Sequence, residues 1–296
     1  MGKPSRFKSQ RFLKKIAANV LDVLLLFIEY PRSSQSMLIE FPRVMNDSNI
    51  AILAAFKEAN EELSRIVSAL SDAGYRVLVI RNIDNLGSHD GISKEYRIVN
   101  RQNKGFDIGA YRDAFQFIES PTNLIFLNTS LYWEAGVLGK IASDVKNNDI
   151  NTVTYLTESL QGEKHGQSFF LHLKLDSTKM HSFQRFMTLK TKNWHYKRSA
   201  VKYGEKAIYN YFVGDKSVRI DFVFPYLFVS DTYLKMEAEL TEPWIKRLIE
   251  NFVPLNPTQH LWPALQFLGF PGHKKTLILD NPAKLEKLPN QNFNND

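Results

Sequence analysis

Residues 95–127 read EYRIVNRQNKGFDIGAYRDAFQFIESPTNLIFL and place a strand, a glycine-containing turn, a helix and a second strand in succession. Short runs rich in apolar and β-branched residues predict strands at 95–99 and 123–127. The segment 113–118 between them predicts a helix. Strands that alternate with helices in this way are typical of a parallel sheet covered by helices.

The same alternation extends over the first half of the chain. Further strands are predicted at 37–41, 75–80 and 152–156, and further helices at 52–70 and 136–145. Asp47 or Ser48 is the predicted N-cap of the helix at 52–70. The pattern predicts an α/β fold with a Rossmann-like, mostly parallel sheet and helices on both faces.

The second half of the chain is less regular. It predicts a strand at 168–175, helices at 178–190, 205–212 and 258–268, and one or two strands at 218–229. No clean linker separates the two halves. We therefore interpret residues 36–282 as one domain with a helical C-terminal elaboration, followed by a polar, disordered tail at 283–296.

Basic residues are concentrated at the start of the 296-residue chain, which has a formal net charge of +7. Six of them precede the first acidic residue, Asp22: Lys3, Arg6, Lys8, Arg11, Lys14 and Lys15. Residues 1–35 thus form a basic N-terminal segment, in which apolar positions from Phe12 to Phe27 recur at helical spacing. Such a helix suits an anionic membrane surface, and the alternative is a helix packed on the protein's own core beside a solvated basic tail.

Composition excludes several classes of function. The chain has no cysteine, which excludes disulfides, thiolate metal sites and a cysteine nucleophile. Without the basic start, the body is nearly neutral, which weakens a nucleic-acid-binding function. The apolar run 16–30 is too short and too polar to predict a membrane span. The predicted location is cytoplasmic, with peripheral association with the inner membrane as the variant that the basic start suggests.

Ligands of open parallel sheets bind beyond the carboxyl ends of the strands, and the stretch NKGFDIGAYRDA at 103–114 follows such an end. Gly105 and Gly109 allow close approach of a ligand, and a helix that begins there points free N–H groups at an anion. Arg112 could pair with a phosphate and Asp107 with a ribose hydroxyl. On spacing alone, an ordinary strand–turn–helix junction with Asp107 as a cap is favoured.

Polar residues follow two further predicted strands. Asn128 and Ser130 could hydrogen-bond a ribose or phosphate, but they are poor sole ligands for a hard cation. Glu158 and His165 are candidate general bases, since either side chain can accept a proton from a hydroxyl group. Spacing does not decide between them.

Several motifs taken in order resemble one known family. They are NxGxDxGAYRDA from Asn103, LNTS ending at Ser130, LTES ending at Ser159, HGQSFFL from His165, and an ending with Asn-Pro before a helix, G-x-P-x-x-K and a final Asn-Pro. This series is similar to the rhamnan synthesis protein F family, which is implicated in the assembly of bacterial surface polysaccharides. The resemblance runs from about the first strand to Pro282 and also includes Tyr203-Gly204-Glu205.

The resemblance implies a GT-A-like glycosyltransferase domain that takes a nucleotide-sugar such as dTDP-rhamnose and extends a lipid-linked glycan. It implies roles for three groups of residues. The nucleotide would be held by Asn103, Gly105, Asp107, Gly109 and Arg112. The diphosphate or sugar would be bordered by Asn128 and Ser130, and the acceptor would be faced by Glu158, His165 and Gln167.

One position departs from the family pattern, because Thr129 stands where the family has Asp. If that carboxylate holds a divalent cation such as Mg²⁺ or Mn²⁺, this chain has lost it, and no cofactor is predicted with certainty. The protein would then be metal-independent, depend on Asp107 instead, or be inactive. The second hypothesis is accordingly a non-catalytic protein that binds a nucleotide-sugar or scaffolds a polysaccharide-assembly complex.

Overall fold

A seven-stranded sheet organises the protein in a computed structural model, which describes residues 44–56, 58–83, 96–119, 121–194 and 196–275, together with Val20, Leu24 and Leu38. The strands are β1 (Asn49–Ala55), β2 (Arg76–Ile83), β3 (Arg97–Gln102), β4 (Asn123–Asn128), β5 (Leu131–Trp133), β6 (Thr152–Tyr155), β7 (Glu158–Ser159), β8 (His165–Gly166), β9 (Phe170–Lys174), β10 (Arg219–Phe222) and β11 (Gly272–Lys274). The helices are α1 (Asn60–Asp72), α2 (Phe106–Phe115), α3 (Ala135–Lys146), α4 (Ser177–Lys190), α5 (Lys197–Ala200), α6 (Lys206–Gly214), α7 (Tyr226–Lys235), α8 (Pro243–Glu250), α9 (Pro257–His260) and α10 (Trp262–Phe267), with a π-helix at Val201–Glu205 and a 3₁₀-helix at Ala238–Leu240.

The order of strands in the main sheet is β3-β2-β1-β4-β9-β6-β10. Neighbouring strands are parallel except at β9, which is antiparallel to both β4 and β6. The chain builds outward from β1 to β3 and then crosses back to place β4 on the other side of β1. This reversal makes the carboxyl ends of β1 and β4 the topological switch point, where ligands of open α/β sheets bind.

Each face of the sheet has its own hydrophobic core. In β1, Ile50 and Ile52 face one core together with residues of α2, α4 and α6. Ala51 and Leu53 alternate with them and face the other core, together with residues of α1, α3, α7, α8 and α10. The mostly parallel α/β sheet with helices on both faces is therefore confirmed.

The first predicted helix begins too early. Residues 49–55 form β1 and not the start of a helix, and α1 follows only at Asn60–Asp72. The stretch NIAILAA has apolar residues at every position after the first, so it suits a central strand buried on both faces. Asp47, a predicted N-cap, instead pairs with Arg76 at the start of β2. The other candidate, Ser48, accepts the backbone N–H groups of residues 122 and 123 at its carbonyl.

The segment 218–229 is also only partly a strand. β10 ends at Phe222, and α7 begins at Tyr226, where Pro225 supplies an extended N-cap. The helix predicted at 258–268 is divided into α9 and α10, since Pro263 suits the first turn of a new helix but not the interior of a longer one. Of the strand predicted at 37–41, only Leu38 is described, and it forms an antiparallel bridge with Arg101.

The basic amphipathic segment at 1–35 and the tail at 283–296 lie outside the described residues, apart from Val20 and Leu24. Within the described ranges, none of the helices is both long enough and apolar enough to cross a membrane.

Candidate active site

Polar side chains converge at the switch point of the sheet. β4 ends there at Asn128, whose backbone N–H donates to the carbonyl of Phe169 at 3.1 Å. Because β9 runs in the opposite direction, its first residues lie at the edge where the parallel strands end. Ser168, just before β9, is thereby placed beside Asn128, although 40 residues separate them in the sequence.

Asp107 is the centre of the resulting hydrogen-bond network. Its Oδ2 accepts from Asn128 Nδ2 at 2.6 Å and from Ser168 Oγ at 2.7 Å. Asn128 is oriented by Ser130, whose N–H and Oγ–H both donate to Asn128 Oδ1, at 3.0 and 2.6 Å. Ser168 Oγ also contacts Oε1 of Glu205. One serine hydroxyl thus touches two carboxylates.

Packing of the π-helix against α2 brings Glu205 to this place. A side chain at Gly204 would meet Ile108 of α2 at 3.0–3.1 Å, so the glycine permits the close approach. Glu205 is the last residue of the π-helix and Asp107 the second residue of α2. π-Helical turns are often found at functional sites.

The number of available protons constrains the charge of this cluster. A serine hydroxyl has one hydrogen to donate, and an ionised carboxylate only accepts. If Asp107 and Glu205 were both ionised, one of the two contacts of Ser168 Oγ would lack a hydrogen. A proton on Glu205 resolves this, because Glu205 then donates to Ser168 Oγ while Ser168 donates to Asp107.

The electrostatic environment also favours a proton on Glu205. Burial, and next the negative charge of Asp107, raise the pKa of Glu205 to about 7, even though Ser168 and Lys274 favour the ionised form. The side chain of Glu205 is 21% exposed, so solvent and a ligand can reach it. A carboxyl group with a pKa near neutrality is suited to accept and release a proton.

His165 lies beside Glu205. Its Nδ1 is 2.8 Å from the carbonyl oxygen of Glu163, which can only accept, so Nδ1 carries the hydrogen and Nε2 is left as an acceptor. Burial lowers the pKa of His165, which favours the neutral ring. The gap between His165 Nε2 and Glu205 Oε2 is 3.7 Å, too long for a hydrogen bond but short enough for a bound hydroxyl to contact both.

Glu158 lies on the other side of the β7–β8 pair from His165. In that antiparallel pair Glu158 is opposite Gly166 and Ser159 is opposite His165, and directly opposite residues share a face. Glu158 is buried, its Oε1 is 3.8 Å from Lys164 Nζ, and burial raises its pKa while Lys164 and the N–H of Tyr226 oppose the rise. The two predicted general bases are therefore not brought together.

Arg112 belongs to a buried ionic cluster and not to the network of Asp107. Its Nε and Nη2 donate to Asp113 Oδ1 at 3.0 and 2.6 Å, and the residue is 1% exposed. Asp113 Oδ2 also accepts from the fully buried Arg101. Arg112, the residue predicted to pair with a phosphate, is therefore buried inside the protein.

Asn193 occupies the space that the two glycines leave. A Cβ on Gly105 would lie 2.5 Å from Asn193 Cα, and one on Gly109 would lie 2.3 Å from Asn193 Oδ1. Gly105 is also the N-cap of α2, with a left-handed φ of 80° that an L side chain rarely adopts. In this structure the glycines permit close packing of the chain on itself.

Gly109→Ala is expected to lower the free energy of unfolding by about 1–3 kcal/mol, because the new methyl group overlaps Asn193 Oδ1, whose position Arg101 also fixes. Urea unfolding followed by circular dichroism measures this. The matched control is Gly136→Ala in α3, where a Cβ meets nothing within 4 Å and the helix should change by no more than about 1 kcal/mol, in the stabilising direction. Equal effects of the two changes would contradict the packing role.

The other residues predicted to bind a substrate lie at separate places in the structure. Asn103 is exposed just after β3. Gln167 is buried, and its amide group joins the start of β9 to the segment before α9, donating to Asn256 Oδ1 at 2.7 Å and accepting from Thr258 Oγ1 at 3.2 Å. Of the predicted set, Asp107, Asn128, Ser130 and His165 meet at the switch point.

Thr129 is turned away from this cluster. It is 1% exposed, and both its N–H and its Oγ1 face the carbonyl of Ala54, at 3.1 and 3.4 Å. The described part of the chain contains no group of three or more acidic or histidine side chains arranged to hold a metal ion. Two carboxyl groups at this edge, those of Asp107 and Glu205, are bridged by Ser168.

No role for Ser168 or Glu205 follows from the sequence alone. Both lie within motifs that carry the family resemblance, HGQSFFL and Tyr203-Gly204-Glu205, and Lys274 is the lysine of G-x-P-x-x-K. Their positions within these motifs are the signal by which the sequence could have identified them as site residues. The contacts with Asp107 require the folded chain.

A separate concavity of about 530 Å³ lies at the amino ends of the strands and is lined in part by Tyr75, Arg76 and Arg97. It is on the opposite edge of the sheet from the Asp107 network. Since open parallel sheets bind ligands at their carboxyl edge, we assign the candidate site to the network and not to this concavity.

Comparison with known proteins finds a similarity at low sequence identity. In an alignment of 289 residues, the chain is 24% identical to the virulence protein VirA of Vibrio anguillarum, and the match spans 88% of this chain and 92% of that protein. No protein-family model matches the chain. The chain is therefore similar to VirA along nearly its whole length, and the resemblance to the rhamnan synthesis protein F family rests on the motifs.

Proposed function

We propose that this protein transfers a sugar from a nucleotide-sugar donor to a hydroxyl group of an acceptor at the carboxyl edge of its sheet. The observation that carries the proposal is the network in which Ser168 joins Asp107 to Glu205, beside His165, at the switch point. It combines a ligand-binding position with a carboxyl group whose pKa of about 7 suits general-base catalysis.

The sheet supports the GT-A part of the proposal. Counted in chain order over its seven strands, the main sheet has the order 3-2-1-4-6-5-7, with only the sixth strand antiparallel. A mostly parallel sheet of this kind is what the resemblance implies for a GT-A-like domain. The antiparallel strand is β9, whose start contributes Ser168 to the network.

The proposed reaction is a direct displacement at the anomeric carbon. The ionised carboxylate of Glu205 takes the proton of the acceptor hydroxyl, and the oxygen forms a bond to the anomeric carbon. The bond from that carbon to the donor phosphate breaks, and its electron pair leaves with the nucleoside diphosphate. Asp107 and Ser168 orient Glu205, and His165 Nε2 accepts a hydrogen bond from a substrate hydroxyl.

The finer proposal is a role in bacterial surface polysaccharide synthesis, with a lipid-linked glycan as acceptor and rhamnose as a candidate sugar. The ordered motifs that resemble the rhamnan synthesis protein F family support it. The basic segment at 1–35 would hold the protein near its acceptor at the cytoplasmic face of the inner membrane.

A panel of nucleotide-sugars tests the proposal. At a concentration about 100 times its dissociation constant, a true donor adds about 2.7 kcal/mol to the stability of the folded state, which raises the melting temperature. We expect one or a few members of the panel to stabilise the protein and to release nucleoside diphosphate, slowly with water and faster with an acceptor. The proposal fails if no member of the panel does either.

The presence of a threonine at position 129 favours a second function. Because this residue faces Ala54 and offers no carboxylate to the site, the protein could bind a nucleotide-sugar without transferring it, as a scaffold in polysaccharide assembly. Stabilisation by a nucleotide-sugar, with no release of nucleoside diphosphate in the presence of any acceptor, would favour this second function.

A further inference from the structure

A lysine from β11, the last strand among the described residues, reaches the proposed site. β11 pairs with β5 in antiparallel register, so that Lys274 lies opposite Leu131, three residues after Asn128. The backbone N–H of Lys275 donates to the carbonyl of Ser130 at 3.2 Å. A side chain at Gly272 would approach the carbonyl of Tyr132 to 2.7 Å, so this glycine permits the close pairing.

The ammonium group of Lys274 points toward the polar network. Its Nζ lies 3.4 Å from Thr258 Oγ1, which donates to Gln167, the neighbour of Ser168. Lys275 diverges from it, toward β1 and α1, and pairs with Glu58 at 3.0 Å and Glu62 at 2.9 Å. The two consecutive lysines therefore have different roles: Lys275 anchors the strand, whereas Lys274 faces the site.

The charge of Lys274 is poorly compensated by its surroundings. Burial lowers its pKa, the ammonium of Lys197 lowers it further, and the carboxylate of Glu205 opposes them. Glu205 itself carries a proton for part of the time at neutral pH. The hydrogen bond described for Nζ goes to a neutral hydroxyl, and an ammonium has three hydrogens to donate. An anion bound at this place would complete its contacts.

We infer that Lys274 binds the diphosphate of the nucleotide donor, with Lys197 at the exposed rim of the same site. This inference rests on the proposed function. When the bond between the anomeric carbon and the donor phosphate breaks, negative charge builds on the leaving diphosphate, and the ammonium donates hydrogen bonds to it. Lys274 thus provides positive charge beside the loop in which Thr129 offers no carboxylate for a cation.

Binding of nucleoside diphosphates to the full-length protein tests the inference. Calorimetry with UDP, dTDP and GDP, in the presence of EDTA, identifies the one that binds. Lys274→Met should weaken its binding about 10- to 100-fold, the loss expected for a hydrogen bond to a charged group, and Lys274→Arg should retain more of it. Binding of the corresponding nucleoside should not change. Lys235→Met, which removes an exposed lysine paired with Asp231 on α7, is the matched control.

The possible outcomes distinguish the role of Lys274 from the proposed function. If the wild-type protein binds a nucleoside diphosphate and Lys274→Met binds it equally well, the role of Lys274 is overturned and the proposed function stands. If the wild-type protein binds none of the nucleoside diphosphates or nucleotide-sugars, both are overturned. If Lys274→Met loses binding of farnesyl diphosphate but not of the nucleoside diphosphate, the lysine serves a lipid-linked diphosphate, and the inference as stated is wrong.

Discussion

Glu205→Gln is expected to lower the rate of sugar transfer about 100- to 10,000-fold, the usual contribution of a general base. The amide has the shape of the carboxyl group and can still donate to Ser168 Oγ, so the network should remain assembled. In the wild-type protein kcat/KM should rise with pH through about 7, as Glu205 loses its proton. Rate measurements from pH 5 to 8.5, with the donor found by the panel, check both expectations.

The same substitution has a second readout that needs no substrate. The pKa of Glu205 is raised from 4.5 to about 7 by folding, so the folded state binds this proton more tightly than the unfolded state. The stabilisation is fully present below about pH 4.5 and is lost as the pH rises through about 7. Between pH 5 and pH 8 the wild-type protein should therefore lose about 2 kcal/mol of stability relative to Glu205→Gln.

Glu250→Gln makes the same chemical change at an exposed position at the end of α8. It should change neither the rate of transfer nor the dependence of stability on pH. Full transfer activity in Glu205→Gln would remove Glu205 from the mechanism. An unchanged pH dependence of its stability would show that folding does not raise the pKa of Glu205.

Asp113→Asn is expected to destabilise the protein by about 3–5 kcal/mol, the largest effect on stability that we predict. Asp113 accepts from Arg101 and Arg112, and these three side chains are 0–1% exposed. An amide in its place removes the carboxylate to which both buried guanidinium groups donate. Removal of one partner from a buried ionic cluster is costly because the remaining charge cannot be solvated. Urea unfolding at pH 7 measures the loss.

The matched control for this prediction is Asp231→Asn in α7. Asp231 pairs with Lys235 at 2.6 Å, but both side chains are more than half exposed. Surface pairs of this kind contribute less than about 1 kcal/mol, so the control should unfold almost as the wild-type protein does. A similarly small loss for Asp113→Asn would mean that the guanidinium groups find other partners or water.

Predictions of individual helices and strands were correct where the hydrophobic periodicity and the length of the element agree. The strand around Val79 and the helix at 136–145 appear as β2 and α3, since each has an unambiguous period. The helix predicted at 52–70 begins too early because β1 is apolar at nearly every position. A short run of that kind fits a buried strand and a buried helix equally, and only its place in the middle of the sheet decides.

The sequence by itself determined that this chain forms a mostly parallel α/β sheet, and that a polar stretch from Asn103 to Asp113 follows one of its strands. The tertiary structure decided which of those residues lie together at the carboxyl ends of the strands. It turned Arg112 inward to Asp113 and filled the space beside Gly105 and Gly109 with Asn193. It also joined Asp107 to Ser168 and Glu205, 61 and 98 residues further along the chain. Such contacts depend on how strands and helices are ordered in space. The spacing of residues along the chain does not determine that order.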